Sequence, residues 1–282
     1  MINNVMSFKA KINNFAKSNK ISSQAVLQNF LLEKLLEKIS LSKYKNNFIL
    51  KGGMLISSLI GISSRTTMDM DTTIKGFELT IDNLEKIIQE IISIKTDEDV
   101  IFELQKITTI RENDDYGGFR ITLKSTYMNM LPTILKIDVT TGDKITYKEV
   151  SYNFPMLFED KNINILSYNL ETIIAEKFES IIKRNVFNTR IRDFYDVFIL
   201  FKLYRDKMDE EKLRLAIINT SKHRNSLNEI ESWKTYIKII SDSDNLIRQW
   251  NKYRKEYSYS NNIEYIDLIE TLKIIGMIYS KH

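Results

Sequence analysis

Apolar residues recur at three- and four-residue spacing from Ile21 to Ile39 (ISSQAVLQNFLLEKLLEKI), which predicts an amphipathic helix with Ser22 or Ser23 near its start. The short apolar run Asn47 to Leu50 reads as a buried strand, and Gly52-Gly53 then opens a predicted helix through Ile60 that Gly61 ends. Met68 to Ile74 alternates as a strand: Met68, Met70, Thr72 and Ile74 are expected on the core face, with Asp69, Asp71 and Thr73 on the other. Ile81 to Ile94 is helical in pattern, followed by strand-like stretches near Val100–Ile110, Phe119–Ser125 and Ile134–Thr140. After Tyr168 the alternation fades and long helical patterns run on to the end. The division that follows is α+β: a mixed sheet with flanking and N-terminal helices over residues 1–160, then a helical domain over 161–282.

Composition narrows the class. The chain has 282 residues, 43% hydrophobic and 28% charged, so it has enough apolar material for a real core and is not disordered. No apolar run approaches the roughly 20 residues of a membrane span, and the first residues lack a secretory pattern, so the expectation is a cytoplasmic protein with no membrane partner. Zero cysteines excludes disulfides and thiolate-bound metal, and the two histidines, His223 and His282, leave little for a histidine site. Polar chemistry must therefore rest on carboxylates, lysines and hydroxyls. The net charge of +4 is mild, with the excess of basic residues concentrated between Lys202 and Glu256. That balance is compatible with a phosphate-bearing partner without requiring one.

Candidate chemistry begins with Asp69 and Asp71 on one strand face. Their Cα atoms stand roughly 7 Å apart, and at an effective dielectric near 20 the two charges repel by roughly 2–3 kcal/mol if both are desolvated. A divalent cation reverses that sign, and oxygen-only ligands select a hard ion such as Mg²⁺ or Mn²⁺, which arrives with nucleotide phosphates. The competing reading is an edge strand with two solvated aspartates. Gly52 and Gly53 sit where a strand meets a helix N-terminus, a place that suits phosphate; a tight turn without a ligand is the alternative. In LKIDVTT, Leu135, Ile137 and Val139 form an apolar face and Asp138 lies on the other, as a third carboxylate of the site or as a solvent-facing strand residue.

The helical half adds a lysine on an apolar stripe. Lys177 shares a face with Leu170, Ile173 and Ile174, where it either snorkels to water or is aimed at phosphates. From Asp193 to Leu203 only Asp193, Asp196 and Lys202 are charged, which predicts a helix buried nearly all round. Asp193 and Asp196 suit its first turns, by capping or by pairing with Arg190 or Arg192. In WNKYRKEYSY, Trp250, Tyr253 and Tyr257 fall at helical spacing among Lys252, Arg254 and Lys255. That is either a core seam with solvated cations behind it or a stacking surface for single-stranded RNA.

Taken in order, K-G-G…R-T-T-M-D-M-D…K-I-D-V…A-E-K…R-D-F-Y-D resembles the AbiEii/AbiGii toxin family, including the MenT toxins, over roughly Asn47 to Tyr204. The resemblance implies a DNA polymerase β-like nucleotidyltransferase fold joined to a helical domain, and the toxin role of an abortive-infection toxin–antitoxin system. By position it implies that Asp69 and Asp71 hold Mg²⁺ or Mn²⁺, with Asp138 a provisional third ligand. Gly52 and Gly53 would line the triphosphate of an NTP, Thr67 would contact the nucleotide, Lys177 would bind the phosphates from the helical domain, and Asp193 would be the late catalytic aspartate. Thr67 departs from the pattern, since many relatives carry serine there. The implied reaction moves NMP from an NTP to an acceptor, RNA and specifically tRNA 3′ ends in the MenT branch, and implies a cognate antitoxin encoded nearby. Transfer to a small molecule or protein, and a non-catalytic nucleotide- or RNA-binding module, are the other readings; the intact Asp69, Asp71, Lys177 and Asp193 count against the last.

Overall fold

The computed structural model describes residues 5–97, 100–110, 117–128, 130 and 132–281. His282 lies outside them. In chain order the elements of the first part are α1 (Val5–Asn19), α2 (Ser23–Leu41), β1 (Phe48–Lys51), α3 (Gly52–Ile60), β2 (Asp69–Ile74), α4 (Ile81–Ile92), β3 (Val100–Ile110), β4 (Gly118–Tyr127), β5 (Thr133–Thr141), β6 (Val150–Pro155) and β7 (Asn162–Ser167). There follow α5 (Leu170–Arg184), α6 (Ile191–Tyr204), α7 (Glu210–His223), α8 (Leu227–Glu231), α9 (Trp233–Ser241), α10 (Asp244–Glu256) and α11 (Tyr265–Tyr279). Mixed sheet first and helices afterwards is the α+β class that the patterning predicts.

The strands form one seven-stranded sheet in the order β3-β4-β5-β2-β1-β7-β6. β2 runs antiparallel to β1 and parallel to β5, so the aspartate strand is central and hydrogen-bonded on both sides. Its core face is apolar where it meets the helices: Met70 and Ile74 are buried, as are Ile137 and Val139 of β5. Two expectations change here. β2 begins at Asp69, and Met68, expected on the core face, is 45% exposed because it precedes the ladder. Thr73, expected opposite the core, is also buried, since it joins a polar cluster described below.

The chain divides into two compact units, residues 1–143 with 150–167, and residues 144–149 with 168–282. The division expected at 160/161 therefore falls at 167/168. The reason is β7, which extends the sheet by pairing in parallel with β1 (Ile49 with Leu166, Leu50 with Ser167). Residues 144–149 go with the helices because the Asn169 side chain donates to the carbonyls of Thr146 and Lys148, both at 3.0 Å, and Thr146 N–H donates to Thr172 Oγ1 at 3.2 Å. In the helical unit α6 is less enclosed than its composition suggests. Phe194, Tyr195, Val197, Leu200 and Phe201 are buried, but Leu203 is 53% exposed, because the packing partners α5, α10 and α11 leave one face of the last turns open.

In the sheet unit, α2 is buried along both its apolar and several of its charged positions. Ser22 caps it, its hydroxyl accepting from Ala25 N–H at 3.1 Å. Glu33, 3% exposed, accepts from Leu157 N–H at 2.7 Å, while its other oxygen has no partner among the described residues. Neighbouring Lys34 pairs with Glu37 and Glu159, and Lys161 pairs with Glu37. These contacts tie the β6–β7 loop to α2. Burial pushes the Glu33 carboxyl up to about 8, against the Leu157 hydrogen bond and Lys34, with Glu159 and Glu37 adding to the rise.

A group with a raised native pKa favours the fold while protonated and loses that contribution as pH rises from its unfolded value toward its folded one. Stability should therefore fall, on the order of a few kcal/mol, as pH rises from about 4.5 to about 8. Glu33→Gln should flatten this dependence, so that its denaturation midpoint in urea gains on the parent protein steadily up to pH 8 and no further beyond it.

Candidate active site

The glycine turn and the aspartate strand meet directly. α3 starts one residue after β1 ends, and Gly52 bridges them with φ +65°, a left-handed conformation that disfavours side chains. A Cβ on Gly52 would lie 2.1 Å from Asp71 Oδ2, and one on Gly53 would lie 2.6 Å from Thr67 Oγ1. Glycine is required at both positions because a carboxylate and a hydroxyl press against the backbone. Gly53 N–H points to Asp71 Oδ2 at 3.4 Å, placing that carboxylate at the N-terminus of α3, where the helix dipole favours negative charge.

Thr67 is buried and its hydroxyl donates to Asp69 Oδ1 at 3.0 Å, fixing one carboxylate rotamer. The segment before β2 is itself held by α2: Asn29 Nδ2 donates to the Thr67 carbonyl at 2.8 Å, and Gln28 Nε2 to the Met68 carbonyl. Two polar side chains near the start of α2 thus hold the entry of the aspartate strand.

Cross-strand register aligns four charges in one row. Arg120 on β4 pairs with Asp138 on β5, Asp138 with Asp71 on β2, and Asp71 with Lys51 on β1. Arg120 grips Asp138 with a two-point fork, Nε to Oδ1 and Nη2 to Oδ2, both at 2.7 Å. Those hydrogen bonds push the guanidinium pKa further up, with Asp69 and Asp71 contributing. At the other end, buried Lys51 pairs with Asp143 and donates to Thr140 Oγ1 at 2.7 Å. Although burial raises the Asp143 carboxyl, Lys51 beside it and hydrogen bonds from Lys51, Thr140 and Thr73 hold it well below the usual carboxylate range.

Asp71 shows the consequence. Burial pushes its proton affinity up, and repulsion from Asp69 adds to this; Lys51 opposes, Asp138 raises again, and Gly53 N–H lowers. Negative charge at Asp71 is thus under-compensated by the protein. Among the described residues no group of three or more His, Asp or Glu side chains is arranged to hold a metal ion. Asp69 and Asp71, with oxygen donors only and charge left over, are the residues whose chemistry would suit a hard divalent ion. Asp138 has both oxygens engaged by Arg120.

The helical unit carries its own charged cluster. Asn169 caps α5, accepting from Thr172 N–H at 2.9 Å. Lys177, on the same helix, pairs with Asp193 Oδ1 at 2.6 Å and Asp196 Oδ2 at 2.8 Å, both on α6. Both aspartates thus pair with Lys177. Asp196 is fully buried, whereas the Lys177 and Asp193 side chains keep 16% and 14% exposure. Trp250 is fully buried, its Nε1 donating to the Ile263 carbonyl at 3.1 Å, and Tyr253 is 5% exposed. Arg254 is paired with Glu264. For those two rings the core seam is the reading that holds.

Lys51, Asp143, Arg120, Gln28 and Asn29 were not singled out from the sequence. Lys51 stands in K-G-G itself, and its burial was signalled by the apolar strand before it; Arg120 and Asp143 carry no local signal, since only register brings them to the row.

A family model described as the nucleotidyl transferase AbiEii toxin of a type IV toxin–antitoxin system matches residues 34–268. The chain belongs to the AbiEii family. It is thereby a nucleotidyltransferase-type toxin, and membership implies an antitoxin partner. No curated protein matches the chain. Among solved structures it is similar to JHP933 from Helicobacter pylori, at 17% identity and a TM-score of 0.54, covering 92% of this chain and 93% of that one, which shows the fold. An antigenic nucleotidyltransferase-like protein from Paracoccidioides brasiliensis also matches, at 17% identity and a TM-score of 0.43 over 70% of this chain and 90% of that one. Among the described residues of this AbiEii protein, no helix is long and apolar enough to cross a membrane.

The contact between Gly52 and Asp71 predicts a specific cost. Gly52→Ala would need both a strained φ and a displaced carboxylate, so urea unfolding should show a loss of about 1–3 kcal/mol. The same substitution at Gly117, where a Cβ meets nothing within 4 Å, should cost much less.

Proposed function

We propose that this AbiEii protein is a metal-dependent enzyme that transfers NMP from an NTP to a hydroxyl of an RNA acceptor, with tRNA 3′ ends as the first acceptor to examine. The observation that carries the reading is the contact of Asp71 with the Gly52–Gly53 turn at the start of α3, beside Asp69 on the same strand face. A helix N-terminus that suits phosphate and a pair of carboxylates that suits a cation adjoin one another, an arrangement that an edge strand of solvated aspartates has no reason to produce.

In this reading Asp69 and Asp71 hold Mg²⁺ or Mn²⁺. When bound, the ion supplies charge neutralisation at the phosphates and favours the ionised acceptor hydroxyl. Thr67 locks Asp69 through its hydroxyl and contacts the nucleotide. Gly52 and Gly53 let the backbone approach the β- and γ-phosphates, whose charge the helix N-terminus favours. The acceptor oxygen attacks the α-phosphorus in line, the bond to the β-phosphate bridge oxygen breaks, and pyrophosphate leaves. In the helical unit, Lys177 is the phosphate-binding lysine of this reading, and Asp193, its more exposed partner, either releases it or orients an acceptor hydroxyl. Toxicity would follow from modifying RNA that the cell needs, with the cognate antitoxin opposing it.

The test is direct. Purified protein incubated with Mg²⁺, total bacterial RNA and each α-³²P-labelled NTP in turn should yield a labelled RNA band on a denaturing gel. Asp69→Asn should lose the band while keeping the fold, because one carboxylate of a repelling pair has been neutralised. Undiminished labelling by Asp69→Asn would refute the assignment, and label appearing on protein or a small molecule would redirect the acceptor.

A further inference from the structure

The row of charges holds one cation that the proposed chemistry leaves unused. Arg120 spends Nε and Nη2 on Asp138, and among the described residues Nη1 carries no hydrogen bond. Its side chain keeps 38% exposure while Asp138 keeps 15%. A fork gripped side-on has a fixed direction, so the free N–H groups of Nη1 are presented rather than left to wander.

Position gives this presentation meaning. The strand order places β4 two strands from the aspartate strand β2 and three from β1, whose end carries the glycine turn. At the usual strand spacing that is roughly 10 Å and roughly 14 Å respectively. Arg120 therefore flanks the carboxylates on the side opposite the glycine turn, yet lies near enough for Asp69 and Asp71 to act on its charge. Lys51, the other cation of the row, is buried and committed to Asp143 and Thr140. Of the two, Arg120 is the one with a part-exposed side chain and, among the described residues, an uncommitted nitrogen.

We infer that Arg120 is a substrate-binding residue that takes a phosphate oxyanion on the far flank of the Asp69–Asp71 pair, and that Asp138 is its positioning residue rather than a metal ligand. This rests on the proposed transferase reading and names what the second flank of the same site recognises. The phosphate belongs either to the acceptor strand beside its reacting hydroxyl or to the NTP; the flank opposite the glycine turn favours the acceptor. Guanidinium suits the task because the fork that holds Asp138 leaves further donors in the same plane, which a lysine cannot reproduce.

Full-length protein and its Arg120→Ala, Arg120→Lys, Arg120→Gln and Asp138→Asn variants decide the matter through two readouts. One is Mn²⁺ affinity measured by electron paramagnetic resonance; the other is the separate KM values for labelled NTP and for total bacterial RNA. Arg120→Ala and Arg120→Gln should raise one KM about tenfold or more, with Mn²⁺ affinity unchanged within about twofold. Arg120→Lys should restore little, and Asp138→Asn should move the same KM in the same direction with Mn²⁺ affinity kept. A rise confined to RNA assigns the acceptor phosphate, and one confined to NTP assigns the triphosphate. Unchanged KM values in active Arg120 variants overturn the inference alone. So does loss of Mn²⁺ affinity in Asp138→Asn comparable to that in Asp69→Asn, which would make Asp138 a ligand. Absence of Mn²⁺ binding and of transfer in the parent protein overturns this inference and the transferase reading together.

Discussion

Three carboxylates crowded onto two neighbouring strands set the terms for the sheet unit. Asp71 and Asp138 are direct partners in a parallel pair, where strands lie about 4.8 Å apart, and Asp69 is two residues from Asp71. Two unit charges 5 Å apart repel by roughly 3 kcal/mol at an effective dielectric of 20, so the arrangement needs cations at both ends. Arg120 closes one end by gripping Asp138, and Lys51 closes the other while itself held by Asp143. Two pairs are thereby neutral, and what remains is the charge of Asp69 and Asp71. The proposed metal site rests on that surplus: a fully compensated row would be a structural ion network with nothing left to offer a cation.

That surplus also explains the backbone around it. A carboxylate with raised proton affinity gains from any nearby donor, and the donor available is the N–H of Gly53 at the head of α3. To reach it, Asp71 must occupy the volume where a side chain at Gly52 would stand. The glycine pair follows from the carboxylate as much as from any phosphate. Both demands act in one direction, since the turn that accommodates Asp71 also bares a helix N-terminus.

How far the sequence reveals this follows from the range of each effect. Periodicity found α2, α3, β2, α4 and β3 to β5 because the spacing of apolar residues is a local signal that each of those segments carries. It did not find β6 and β7, whose short VSYNFP and NINILS runs become strands by adding in turn to β1 and to each other. The D-x-D face was legible since alternation is local, and Met68 was misplaced because alternation alone does not mark where a ladder begins. Lys177 stood out as a cation on an apolar stripe. Its actual partners are on the next helix, so the pair could be suspected from either member but not matched. Arg120 and Asp143 were beyond reach, because strand order and register, not spacing, bring them to the row.

Within the helical unit the two aspartates around Lys177 are unequal, and the inequality bears on what each can do. Asp196 is wholly buried and on the ammonium at 2.8 Å, so removing Lys177 would take an ion-pair partner from a carboxylate in the interior, where charge is costly. Asp193 keeps contact with solvent, at the first turn of α6 where the dipole already favours it, and tolerates losing the lysine far better. Lys177 is thus held by Asp196 on its buried side and by Asp193 on its more exposed side. An ammonium so placed can exchange its outer partner for a phosphate without giving up its inner one, which is the property that a phosphate-binding lysine on an apolar helix face requires.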